Sequence, residues 1–64
     1  MTELIWKPIE IVYAGRTIAG QYARDGRMLR VQAASCEKTA RLGHFSPEIL
    51  AGILLRELAE DGRV

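Results

Sequence analysis

Cysteine is nearly absent from this chain: Cys36 is the only one in 64 residues, so no disulfide can close within it. Histidine is as scarce, with His44 alone, and no Cys/His cluster has the spacing of a zinc site. No apolar run approaches a membrane span. The longest in the C-terminal third, Ile49 to Leu55, is interrupted by Gly52 and falls well short of the ~20 residues a bilayer requires. Charge of one sign is also missing. Nine Lys and Arg stand against eight Asp and Glu, which argues against strong non-specific attraction to nucleic acid or anionic membrane. The N-terminus lacks the basic start and apolar middle of a secretion signal. With a lone cysteine, that pattern predicts a cytoplasmic protein, and a bacterial origin is the accompanying expectation.

These absences leave a small domain with few supports. A chain of this length buries only about 60% of its extended surface on folding, and such domains lean on disulfides, metals or a partner subunit. The first two are excluded by composition, so self-association is the support that remains.

The centre of the chain, from Ile9 to Gly43, reads as a series of hairpins. Asp25-Gly26 between two β-rich runs is a strong turn signal, because a type I′ loop needs positive φ at both central residues. That loop sets Tyr22 opposite Leu29 and Gly20 opposite Val31. Side chains alternate between the faces of a strand, so Ile18, Gly20, Tyr22, Leu29, Val31 and Ala33 share one face. Gly15-Arg16 suits a type II′ loop, which pairs Tyr13 with Ile18 and Ile9 with Tyr22 and sends the same bulky class to the same side. Gly20 then marks a close approach by another element. Strands are expected over 9–14, 17–24, 27–34 and 38–42, after a lead of residues 1–8 in which Trp6 is expected to lie as a lid over one end of the core. Pro8 places the first strand at an edge.

Ser46-Pro47-Glu48 is a helix start, with serine at the N-cap, proline at the first helical position and an acid in the first turn. The helix is expected over 46–61, stopped by Gly62, with Phe45 stapled onto Leu50. Its broad apolar arc, Leu50, Ala51, Leu54, Leu55 and Leu58, belongs on the sheet. A second, narrow arc of Ile49 and Ile53 has no use in a helix that covers one sheet, and is expected to meet a second copy.

Catalytic constellations are missing. Gly15 and Gly20 stand in a hairpin and not between a strand and a helix N-terminus, so phosphate-loop and dinucleotide readings fail on context. Cys36 and His44 are separated by the expected last strand, too far for a thiol–imidazole pair at ~3.3 Å rise per residue. No enzyme and no cofactor are expected. The basic residues allow a different chemistry: Arg30 and Arg41, neighbours on the outer sheet face, and Arg16 form a possible anion or nucleic-acid contact. Single-strand binding also calls for aromatics on that face, and the strands supply none. Arg24 and Arg27 flank the hairpin tip on the helix side, where acids near the helix end are expected to meet them. The outer face otherwise carries Val12, Ala19, Ala23, Met28 and Ala34, a mild surface that a second subunit is able to cover.

The strings Tyr-x-Gly-Arg-Thr from Tyr13, Gly-x-Tyr from Gly20, Gly-Arg-Met-Leu-Arg-Val from Gly26, Lys-Thr-Ala-x-Leu-Gly from Lys38 and Leu-Leu-Arg-Glu-Leu from Leu54 resemble short uncharacterised bacterial proteins of about this length. The resemblance covers residues 11–58 and consists of turn glycines and core positions. It implies the fold and carries over no functional residue.

The expected protein is therefore a single α+β domain over residues 1–64. It has a four-stranded antiparallel meander, either open or strongly curled toward an SH3-like barrel, with one C-terminal helix on one face. The expected function is that of a non-catalytic homodimeric interaction module, with Ile49, Ile53, Trp6 and Met28 as its self-association residues. The alternative is a nucleic-acid-binding module using Arg16, Arg30 and Arg41.

Overall fold

Four strands and a helix follow one another without a crossover: β1 (Lys7–Tyr13), β2 (Arg16–Asp25), β3 (Met28–Ala33), β4 (Cys36–Arg41) and α1 (Pro47–Glu60). The structure, a computed structural model, describes residues 3–62 and 64. Met1 and Thr2 of the expected lead, and Arg63, lie outside the described residues. The strands form one antiparallel sheet in the order β1-β2-β3-β4. It stays open, with β1 and β4 at its edges, so the curled barrel is not adopted.

The first two hairpin turns each sit one residue away from their expected places. The first loop is Ala14-Gly15, both at positive φ (53° and 77°), and Tyr13 pairs with Arg16. In the second, Asp25 stays extended and pairs with Met28, leaving Gly26 (φ 63°) and Arg27 as the loop. The expected turn types are thus exchanged: both central residues are left-handed in the first loop, and only the leading glycine in the second. The third loop is Ala34-Ser35, so β4 starts at Cys36, opposite Ala33, and not at Lys38. The pairings slide by two residues. Tyr22 lies opposite Val31, and Gly20 opposite Ile9.

A slide of two leaves every side chain on its face, because the pleat repeats every two residues. The core accordingly holds what the alternation predicts. Ile18, Tyr22, Leu29, Val31 and Ala33 are buried from the sheet, and Leu50, Ala51, Leu54, Leu55, Leu58 and Ala59 from the helix. Ile9, Ile11, Tyr13 and Ala40 pack against this cluster half-buried. Gly20 is the close approach it was expected to be. A methyl group there would stand 2.5 Å from the Gln32 carbonyl oxygen and 3.3 Å from Leu55 Cδ1.

The helix begins as its sequence dictates, with the Ile49 amide donating to Ser46 Oγ at 3.3 Å. At its other end the Asp61 amide donates to the Glu57 carbonyl and the Gly62 amide to that of Ala59. Phe45 keeps half its surface exposed and adds little to the core.

Candidate functional site

Cross-strand pairing lays the outer face out in rows. Gln21, Gln32 and Glu37 form one row, and Ala23, Arg30 and Thr39 the next. Stepping the β1–β2 pairing back from Lys7–Tyr22 brings Trp6 alongside Ala23. Trp6 is half-buried and stands apart from the core cluster. Its ring lies under the Arg30 guanidinium, 5.8 Å from centroid to Cζ, in the range of a cation–π contact. The expectation of a lid over the core is therefore corrected: Trp6 covers the outer face. Ala23, in the row between Trp6 and Arg30, is buried there.

Along these rows runs a polar chain. Gln21 Nε2 donates to Gln32 Oε1 at 2.9 Å, and Gln32 Nε2 donates to Glu37 Oε1 at 2.8 Å. Arg30 Nη2 donates to both Glu37 oxygens at 3.0 and 3.1 Å. The Gln32 amide holds the Glu37 carboxyl below its ordinary range, opposed by partial desolvation and helped by the hydrogen bond and charge of Arg30. A carboxylate whose pKa is depressed on folding stabilises the fold above the unfolded value, about 4.3, and loses that contribution as pH falls through the folded value. We expect the Glu37 carboxyl carbon to titrate by NMR below the ordinary glutamate range, and to move upward in Gln32→Ala. An unchanged midpoint in that variant would show that the amide plays no part.

The three arginines singled out from sequence do not converge. Arg30 is held by Glu37 and lies opposite Thr39, while Arg41 lies opposite Met28. Arg16 opens β2 beside the first turn and donates from Nη2 to the Val64 carbonyl at 3.4 Å. Arg16 and the Asp25–Met28–Arg41 row are nine strand positions apart, about 30 Å at the rise of a strand. Nor do acids of the helix C-terminal turn meet Arg24 and Arg27. Glu57 pairs with Lys38 at 2.7 Å, whereas Arg24 lines a cleft with Ser46, Pro47 and Glu48 at the helix N-terminal end. Arg24, Arg27 and Arg41 instead line a second cleft, together with Leu42 and Gly43.

The self-association residues occupy two surfaces. Ile49 (60% exposed) and Ile53 (39%) lie on the side of α1 turned away from the sheet, near Arg56 and Glu60, which pair at 3.0 Å. Met28 is on the outer sheet face, in the row next to that of Arg30. Ile5 and Val12 add exposed apolar surface at the β1 edge. Cys36 is the first residue of β4, and His44 lies three residues past its last. Among the described residues no group of His, Cys, Asp and Glu is arranged to hold a metal ion, and no helix is long and apolar enough to cross a membrane. The chain matches no family model, no curated protein and no solved structure.

Proposed function

We propose that the protein is a non-catalytic homodimeric interaction module, and that the outer face of α1 packs on the same face of a second copy. The observation that carries this reading is the second apolar stripe. Six helix residues are already buried on the sheet, and Ile49 and Ile53 are left on the opposite side. Gly52, between them in sequence, supports it. An added methyl group there would make only ordinary contact, 3.9 Å from Ile11 Cγ2, so nothing within one chain requires glycine. A glycine in a helix interior costs roughly 0.5–1 kcal/mol relative to alanine, whereas its bare backbone lets another helix approach closely. An antiparallel crossing about Ile53 sets Glu60 of each copy near the other helix's N-terminus, where the macrodipole favours an acid.

Nucleic-acid binding finds less support. Of its three arginines one is neutralised by Glu37, and the other two stand at opposite ends of the sheet.

Equilibrium sedimentation tests the dimer. The wild-type chain is expected to associate at micromolar concentration. Ile53→Glu is expected to weaken that by at least about 30-fold, the equivalent of a hot-spot loss of about 2 kcal/mol, and to remain folded by circular dichroism. Gly52→Ala should raise the stability of the monomer by urea titration and weaken the dimer. A clean monomer at high micromolar concentration would sink the proposal. So would a dimer indifferent to Ile53→Glu.

A further inference from the structure

Four cations of this small surface have a partner away from the hairpin tip. Arg30 is paired with Glu37, Lys38 with Glu57 and Arg56 with Glu60, and Arg16 reaches a backbone carbonyl. The tip of the β2–β3 hairpin differs. Arg24, Arg27 and Arg41 line one cleft of about 290 Å³, and among the described residues none of them makes an ion pair, with Asp25 of the same tip or with any other acid. Guanidinium groups crowded into one cleft repel one another unless an anion lies between them.

The backbone beneath them is tied down. The Leu42 amide donates to the Arg27 carbonyl at 2.9 Å, and the Phe45 amide to the Leu42 carbonyl at 3.0 Å. The first of these bonds fixes the end of β4, which carries Arg41, against the turn that carries Arg27. Arg24 is held as well: its Nε donates to the Gly26 carbonyl at 3.0 Å. Planar forks with several donors match the oxygens of a phosphate group better than point charges do.

We infer that this cleft binds a compact, multiply charged oxyanion of the phosphate type, free or as the terminal group of a small molecule. The three arginines line a single cleft at the end of the sheet. A nucleic-acid backbone calls instead for a track of cations with stacking platforms beside it, and Trp6 is already occupied by Arg30.

Calorimetric titration of the full chain with inorganic pyrophosphate, at physiological ionic strength, tests the inference. Saturable binding is expected, with phosphate weaker than pyrophosphate. Arg27→Gln and Arg41→Gln should each weaken it at least about 10-fold, the loss of one charge-assisted contact, and Arg16→Gln should leave it unchanged. In the wild-type chain the Gly26, Leu42 and Gly43 amide resonances should shift first, a readout that does not depend on any variant folding. Absence of saturable binding would overturn the site, as would equal loss in Arg16→Gln. A short single-stranded RNA that binds with a steep salt dependence and is not displaced by pyrophosphate would also overturn it, in favour of a nucleic-acid surface. The oligomeric state bears on none of these outcomes.

Discussion

Leu55→Ala is expected to cost about 2–5 kcal/mol, the range for emptying a fully buried leucine site that collapses only in part. Leu55 is completely buried and fills the space left by the missing side chain of Gly20, with its Cδ1 3.3 Å from where a methyl group there would stand. At roughly 0.05–0.15 kcal/mol per residue, a chain of 64 residues has about 3–10 kcal/mol of stability in all. One such cavity therefore removes a large share of it, and a good fraction of the variant should be unfolded at room temperature. Urea titration followed by circular dichroism gives the number. Leu55→Met, which keeps the volume, should lose less than about 1.5 kcal/mol and stay folded even where the alanine variant does not. If Leu55→Ala lost less than about 1 kcal/mol, the helix would not be seated on the sheet through this residue.

Much of this core was legible in the sequence, and the reason is specific. Tyr22, Leu29 and Val31 keep their face whether the β2–β3 loop is Asp25-Gly26 or Gly26-Arg27, because the two choices differ by two residues of pairing and the pleat repeats every two. Hydrophobic alternation fixes the face and is blind to such a slide. The turn type decides it, and Gly26 can serve either as the second residue of one loop or as the first of the other. The same ambiguity at Gly15 displaced the first turn. There Ala14 takes a left-handed conformation that costs a non-glycine residue roughly 1–2 kcal/mol, so local propensity gave way to the pairing of whole strands.

The candidate sites were less legible, for the same physical reason. In the expected register Arg24 faces Arg27 across a ladder. In the actual one Arg24 faces Leu29, Arg27 is carried into the loop and Arg41 is drawn up opposite Met28, and the three line one cleft at the tip. Trp6 was misplaced because a lone tryptophan ahead of a strand does not reveal its side. Only its position alongside Ala23, continued from Lys7–Tyr22, shows that it joins the outer rows and engages Arg30. Ile49 and Ile53 were readable directly, since helical periodicity separates their arc from that of Leu50, Leu54 and Leu58.

Gly20→Ala tests the opposite failure from Leu55→Ala, too much volume in place of too little. Alanine is a better strand residue than glycine by roughly 0.5–1 kcal/mol, so an open site would make the substitution stabilising. Here the added carbon meets the Gln32 carbonyl oxygen at 2.5 Å, with Ala33 Cβ at 3.2 Å and Leu55 Cδ1 at 3.3 Å. The closest obstacle is backbone, held in the β2–β3 ladder by the pairing of Gln21 with Gln32, and it cannot turn aside as a side chain would. A net loss of about 1–3 kcal/mol follows, the usual cost of overpacking. The double variant with Leu55→Ala separates the two obstacles. If the carbonyl dominates, removing the leucine relieves little, and the two losses add to within about 0.5 kcal/mol although the residues touch. If the leucine dominates, the double variant is more stable than that sum by more than about 1 kcal/mol. A gain in stability from Gly20→Ala alone would mean that β2 and β3 are not paired in this register, since in the expected one Gly20 faces Val31 and the Gln32 carbonyl lies elsewhere.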